Sequence, residues 1–249
     1  MPLLLPKIIG HRGAAAYAPE NTLEGIHTAA DMGVEWVELD VKLTKDFVPI
    51  LFHDDTLERT TNGGDRPVAQ CTYDDIKQLE AGSWFGESFA GIKIPTLEEA
   101  LDVLIERGLG LNMEIKPCPG REKETAEVAL DILSQFWDDH DRLLISSFSH
   151  VSMETALDMA NDWSRGFLLP EEWPENWRDL ADYLDISVFN VNGNTVTRED
   201  ISALLEREKP ILAYTINDPD RANLLQSWGV DGFFSDEPDV IREEILPTH

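Results

Sequence analysis

Eight short apolar strands alternate with helices along nearly the whole chain, and this alternation constrains the fold more than any other feature. Strands that are separated by helices run parallel, and eight such units in 249 residues predict a (β/α)8 TIM barrel. An open doubly wound sheet is the alternative, but the first strand ends in Gly-His-Arg-Gly and lacks the G-x-G-x-x-G fingerprint. The predicted strands are centred on Ile9, Leu39, Ile115, Ile145, Phe167, Val188, Tyr214 and Phe233.

The pattern predicts a single domain over residues 1–249 with one interruption. Residues 54–95 follow the second strand and are rich in turn-forming residues, so we interpret them as a small insertion or lid. Asn21 is predicted to cap the first helix. A later helix is predicted over 173–183, and the last helix is predicted to run from Pro238 to about Leu246.

Acidic side chains stand at the ends of two predicted strands, where a barrel of this type has its active site. Glu38 and Asp40 are two residues apart and therefore share one face of a strand, and so do Glu114 and Lys116 on the next barrel strand. An isolated pair of this kind is usually only a solvated face. Three converging carboxylates, however, are hard oxygen ligands that suit Mg²⁺ or Ca²⁺, or Mn²⁺, better than zinc.

Two histidines and two cations are predicted beside these carboxylates. His11 and His53 can exchange protons near neutral pH, while Arg12 and Lys116 can bind an oxyanion. Together with a metal, they suit phosphoryl chemistry. The loops after the last two strands are acidic and lack glycine, so we expect a phosphate on the metal side of the mouth. Two further residues at the end of the seventh strand are candidate substrate contacts, Tyr214 and Asn217.

The strongly acidic composition limits the partners. A formal net charge of −28 argues against nucleic acid and against an anionic membrane surface. No run approaches the ~20 apolar residues of a membrane span, and the N-terminal stretch lacks the features of a signal peptide. The sequence therefore predicts a cytoplasmic protein without membrane insertion that acts on a small molecule; a homodimer stays open as an alternative to a monomer.

Several motifs, in order over nearly the whole chain, resemble the glycerophosphodiester phosphodiesterase family. Two stretches, A-G-S-W-F at 81–85 and E-W-x-x-x-W-R-D-L at 172–180, are particularly similar to the bacterial cytosolic enzymes. The main motifs are H-R-G at 11–13, P-E-N-T-L-E at 19–24, V-E-L-D-V at 37–41, F-H-D-D-T-L-E-R-T-T-N-G at 52–63, M-E-I-K-P at 113–117 and A-Y-T-I-N at 213–217.

The resemblance implies a TIM barrel with a small insertion after the second strand, and metal-dependent hydrolysis of glycerophosphodiesters. The substrates would include glycerophosphocholine and glycerophosphoethanolamine, and the products sn-glycerol 3-phosphate and an alcohol. By resemblance, His11 and His53 form the acid/base pair, and Arg12 and Lys116 contact the phosphate. The implied metal ligands are Glu38, Asp40 and Glu114. Two positions depart from the family pattern, with Phe47 where glycine is frequent and Tyr214 where tryptophan is common.

Two other functions stay open at the level of sequence. A lysophospholipase-D-like phosphodiesterase would need an exposed apolar ramp at the barrel mouth, for which Trp84, Phe85 and Phe89 are the candidates. A non-catalytic barrel that binds glycerophosphodiesters would be expected to have lost a histidine or a metal ligand, and this sequence retains both histidines and all three acids.

Overall fold

Eight parallel strands close into a barrel in the computed structural model, which describes residues 3–245. Each strand pairs with its neighbour, and the first strand pairs with the second to close the sheet. The predicted TIM barrel is therefore confirmed. The barrel strands are β1 (Ile8–His11), β2 (Trp36–Leu43), β4 (Gly110–Ile115), β5 (Leu143–Ser147), β6 (Ser164–Leu168), β7 (Val188–Asn192), β8 (Ile211–Tyr214) and β9 (Gly232–Ser235).

One further strand, β3 (Pro49–Leu51), pairs antiparallel with Val41–Leu43 at the end of β2. The connecting turn places Phe47 in the left-handed region, at a φ of 66°. Glycine adopts this conformation without steric cost, whereas a residue with a Cβ atom such as Phe47 does not. The hairpin leads the chain from the end of β2 back to His53 at the barrel mouth.

Helices surround the barrel. Thr22 caps the first helix by accepting a hydrogen bond from the backbone N–H of Gly25, so the predicted Asn21 cap is wrong by one residue. The predicted end of the last helix at Leu246 lies outside the described residues. The helices are α1 (Leu23–Asp31), α2 (Tyr73–Ile76), α3 (Leu97–Arg107), α4 (Glu122–Phe136), α5 (His150–Met159), α6 (Trp177–Tyr183), α7 (Arg198–Leu205), α8 (Pro219–Trp228) and α9 (Pro238–Ile245).

The interior of the barrel is closed below the site by an apolar layer. Trp36 fills the space beside Gly110, where a Cβ atom would lie 2.4 Å from the indole ring. This packing makes the lower barrel a solid support for the residues above it. The layer consists of Ile9, Trp36, Leu144, Val188, Leu212 and Phe234.

The segment between β3 and α3 is turn-rich, as predicted, and carries the short helix α2. It also has a small apolar cluster of its own, which Ile50 of β3 joins. Trp84 and Phe85, near its end, stack edge to face and line a cavity at the barrel mouth. The segment is thus anchored against the side of the barrel while one part of it reaches the mouth.

Candidate active site

Three carboxylates converge at the barrel mouth, where β2 and β4 pair side by side. Glu38 and Asp40 come from β2, and Glu114 from β4, where it is in register with Asp40. All three are buried, and one carboxylate oxygen from each lies within 4.8 Å of the others. The strand period and the parallel register therefore bring the predicted ligands together.

The local charge of this cluster favours a bound cation. Burial and repulsion from Asp40 raise the pKa of Glu38 well above its usual range. The same two causes raise the pKa of Glu114 to about 7. Burial also acts to raise the pKa of Asp40, but the cations Arg12 and Lys116 outweigh it and hold that pKa below its usual value. A divalent cation would relieve this repulsion.

One oxygen of the cluster has no protein partner. Glu38 Oε1 is buried and, among residues 3–245, accepts no hydrogen bond. An unsatisfied buried carboxylate oxygen is costly unless a ligand completes it. With three hard oxygen donors on rigid strands, the residues fit Mg²⁺, Ca²⁺ or Mn²⁺.

The two predicted cations border the carboxylates. Arg12 Nε lies 3.2 Å from Asp40 Oδ2, and the Arg12 backbone N–H donates to Glu38 Oε2 at 3.0 Å. Lys116 Nζ lies 2.8 Å from Glu114 Oε1 and 3.7 Å from Asp40 Oδ1. Although burial opposes it, the neighbouring carboxylates Glu114 and Asp40 raise the pKa of Lys116, which keeps it charged.

Each predicted histidine is oriented by a carboxylate. His11 Nδ1 lies 2.7 Å from Asp236 Oδ1, and His53 Nδ1 lies 2.6 Å from Asp54 Oδ1. A carboxylate at Nδ1 keeps the proton on that nitrogen and leaves Nε2 for exchange with a substrate. His11 Nε2 lies 3.9 Å from Glu38 Oε2, beside the carboxylate cluster. Burial lowers the pKa of His53.

The two candidate substrate contacts on β8 and its loop are engaged with protein. Asn217 Nδ2 donates to Asp236 Oδ2 at 2.7 Å, so it holds the carboxylate that orients His11. The Tyr214 hydroxyl donates to the Leu169 carbonyl at 2.7 Å, and Tyr214 lines a cavity inside the barrel mouth. Contact of either residue with substrate stays a prediction.

Asn21 has a role that its position in the sequence did not indicate. Its side chain donates to Asp40 Oδ2 at 2.9 Å and accepts from the Asp40 backbone N–H at 3.1 Å. It does so from a left-handed backbone conformation, with a φ of 55°. The position just before a helix suggested a cap, whereas the side chain instead fixes a carboxylate of the cluster.

Arg59 of the insertion joins two parts of the site and was also missed. Its guanidinium donates to Asp54 Oδ2 and to Glu20 Oε2, each at 2.7 Å. Glu20 in turn accepts from Arg12 at 2.8 Å. The network links the His53 side of the mouth to the Arg12 side. No periodicity in the turn-rich segment distinguished Arg59 from its neighbours.

Two spaces meet at this cluster. The inner one is a cavity of about 150 Å³ inside the barrel mouth, and the outer one is an open groove of about 910 Å³ between the ends of β4 and β5. Four side chains border both spaces: His53, Glu114, Lys116 and Phe148. Within the described range 3–245, each helix falls short of the length and apolar character needed to cross a bilayer.

Comparison with known proteins agrees with this geometry. The chain is 32% identical to a glycerophosphodiester phosphodiesterase of Bacillus altitudinis, covering 97% of this chain and 100% of the relative. It is also 32% identical to the glycerophosphodiester phosphodiesterase of Caldanaerobacter subterraneus, covering 94% and 95%.

Solved structures give the same result. An Oleispira antarctica phosphodiesterase in complex with the product sn-glycerol-3-phosphate superimposes with a TM-score of 0.92 and 38% identity, covering 97% of both chains. A sequence model of the Glycerophosphoryl diester phosphodiesterase family matches residues 11–240. The chain belongs to the glycerophosphoryl diester phosphodiesterase family.

Proposed function

We propose that the protein is a metal-dependent hydrolase that converts glycerophosphodiesters such as glycerophosphocholine or glycerophosphoethanolamine to sn-glycerol 3-phosphate and the free alcohol. The observation that carries the proposal is one barrel mouth that combines a carboxylate cluster, two carboxylate-oriented imidazoles and two cations. Relatives over nearly the full length bear the name of this activity, and one was solved with the product sn-glycerol-3-phosphate.

The charged residues would act on the phosphate. Glu38, Asp40 and Glu114 would hold a divalent cation, which supplies positive charge to the phosphate when it is bound. Arg12 and Lys116 would hold the phosphate oxygens and stabilise the charge that develops on them. Each is already fixed against the cluster by ion pairs, so little reorganisation is needed during the reaction.

The two imidazoles would move the protons. Nε2 of one histidine would take the proton of the nucleophile, while Nε2 of the other would protonate the leaving alcohol. A water nucleophile gives sn-glycerol 3-phosphate directly. Attack by a hydroxyl of the substrate's glycerol gives a cyclic phosphodiester instead, which water then opens with the two histidines in exchanged roles. Asp236 and Asp54 would stabilise the imidazolium that forms at His11 or His53 and keep each ring in place.

The decisive experiment measures release of sn-glycerol 3-phosphate from glycerophosphocholine, with and without a chelator, for the wild type, His11→Ala and Glu114→Ala. Loss of turnover in both variants and on chelation, with recovery on adding Mg²⁺, Ca²⁺ or Mn²⁺ to the wild type, supports the proposal. Undiminished turnover in either variant, or after chelation, contradicts these site assignments. A wild type that releases no sn-glycerol 3-phosphate with any of these ions contradicts the function itself.

A further inference from the structure

A polar layer lies inside the barrel beside the carboxylate cluster, because Asn112 is in register with Glu38 and Ser146 is in register with Glu114. It is formed by Asn112 of β4, Ser146 of β5 and Asn190 of β7, which are at most 1% exposed and line the inner cavity. Gly166 of β6 makes room for it, because a Cβ there would lie 3.0 Å from Asn190 Nδ2. Three polar side chains at this depth require partners.

The partners that residues 3–245 provide are incomplete. Asn112 Nδ2 donates to Ser146 Oγ at 3.0 Å, but Asn112 Oδ1 has no hydrogen-bond partner within that range. Neither Nδ2 nor Oδ1 of Asn190 has one either. The layer therefore offers at least one donor group and two acceptors to the cavity, all of them neutral.

A ligand that matches this layer carries hydroxyl groups, because a hydroxyl both donates and accepts. A phosphate is a poorer match, since the cations that would hold it, Arg12 and Lys116, border the cavity nearer the carboxylates. The volume of about 150 Å³ admits a few atoms and excludes an acyl chain.

We propose that this layer is the recognition site for the three-carbon polyol end of the substrate, with Asn190 and Asn112 bonding its free hydroxyls. The inference rests on the proposed function and adds to it the orientation of the substrate in the site. The glycerol end enters the inner cavity, the phosphate lies at the residues common to both spaces, and the alcohol end lies in the outer groove. Substrates acylated on glycerol are excluded, which separates the protein from lysophospholipase-D-like enzymes.

The first test measures binding of sn-glycerol 3-phosphate and of inorganic phosphate to the Mg²⁺-loaded protein by calorimetry. Asn190→Leu removes the hydrogen-bonding groups while keeping the size of the side chain. We expect it to weaken binding of sn-glycerol 3-phosphate by about tenfold or more and to leave binding of phosphate within about twofold, because only the polyol loses partners. Asn223→Leu, whose amide bonds to Glu244 on the outside of the barrel, is the matched control and should change neither.

An equal effect on both ligands, or no effect on either, overturns the inference and leaves the layer as a site for ordered water. Asn190→Ala serves in the same measurement if Asn190→Leu does not fold.

A second test needs no variant. We expect the wild type to hydrolyse glycerophosphocholine with a kcat/KM at least about 100-fold above that for lysophosphatidylcholine, because the acyl chain cannot enter the cavity. Comparable values overturn the inference while leaving the phosphodiesterase function intact. Absence of turnover with any phosphodiester would instead contradict the proposed function, and the binding comparison would still decide the polyol site.

Discussion

The two histidines each have a carboxylate partner but border different spaces of the site. Both have Nδ1 against a carboxylate, but His53 borders the inner cavity and the outer groove, whereas His11 borders the inner cavity and not the groove. A substrate with an activated leaving group can show which histidine is the general acid and which is the general base. Such a group departs without protonation and does not need the general acid.

We expect His11→Ala and His53→Ala each to lower kcat for glycerophosphocholine by about 10²–10⁴-fold, the usual contribution of a general acid or base. With a p-nitrophenyl phosphodiester of glycerol, the variant that lacks the acid should regain most of its rate, and the variant that lacks the base should not. Steady-state release of p-nitrophenol measures this. Equal losses with both substrates in both variants would contradict a division into one acid and one base.

Protons should compete with the metal at the carboxylate cluster. Burial and Asp40 raise the pKa of Glu114 to about 7. A carboxyl group whose pKa is raised by folding stabilises the metal-free protein at low pH, and this contribution is lost as the pH rises through the raised value. We therefore expect the increase in melting temperature on adding Mg²⁺ to be larger at about pH 8 than at about pH 6.

The matched comparison is Glu114→Gln, which cannot titrate at this position. The melting temperature of the chelated wild type should fall more between about pH 6 and about pH 8 than that of the chelated variant. An identical pH dependence of the two proteins would contradict titration of Glu114 over this range.

At the scale of elements, the β2–β3 hairpin carries an unusual residue at its turn. Phe47 has a φ of 66° and is half exposed, and the Arg121 guanidinium lies 5.0 Å from the centre of its ring. The left-handed conformation costs a residue with a Cβ atom about 1–2 kcal/mol, and a β-branched residue most of all. The ring contact with Arg121 offsets part of that cost.

We expect Phe47→Ile to lower the free energy of unfolding by about 1–2 kcal/mol, because it adds branching at Cβ and loses the aromatic ring. Phe47→Gly should stay within about 1 kcal/mol of the wild type, since relief of the backbone compensates for the lost contact. Urea unfolding measures both. A larger loss in the glycine variant than in the isoleucine variant would contradict this account of the turn.

The strands and helices were largely predictable from the sequence, because apolar residues recur with a different period in each. Eight strand–helix units are in turn compatible with few folds. Helix α6 shows where local pattern fails. It was predicted from Trp173 but begins at Trp177. Trp173 precedes Pro174, and a proline disfavours helical backbone at the residue before it.

The site was predictable only where strand geometry determines it. Glu38, Asp40 and Glu114 meet because the strand period and parallel neighbours bring them together. By contrast, the contacts of Arg59 and Asn190 follow from the folding of a turn-rich segment and from the stagger of the barrel. Arg59 lies within the motif at 52–63, but the motif does not indicate what the side chain contacts.

At the scale of the whole molecule, the acidic surface opposes compaction. A net charge of −28 makes the folded chain repel itself, and added salt screens that repulsion over about 10 Å at 0.1 M and about 3 Å at 1 M. We expect the melting temperature to rise by several degrees between these KCl concentrations. Differential scanning fluorimetry in the presence of a chelator measures this without a contribution from divalent ions.

A variant with less charge provides the comparison. Asp102→Asn with Glu106→Gln removes two acids from the exposed face of α3, away from the barrel mouth. It should melt higher than the wild type at low salt, and the difference should shrink at high salt. A wild-type melting temperature that falls as KCl rises would contradict self-repulsion as the dominant effect.

The unequal spaces on either side of the carboxylate cluster would order the release of the two products in the proposed reaction. The outer groove of about 910 Å³ opens to solvent, whereas the inner cavity of about 150 Å³ ends at the apolar layer. If the polyol end is held inside, the alcohol can diffuse away while sn-glycerol 3-phosphate is still bound. The phosphate monoester would then leave second and compete directly with the next substrate molecule. Accumulated sn-glycerol 3-phosphate would therefore slow turnover.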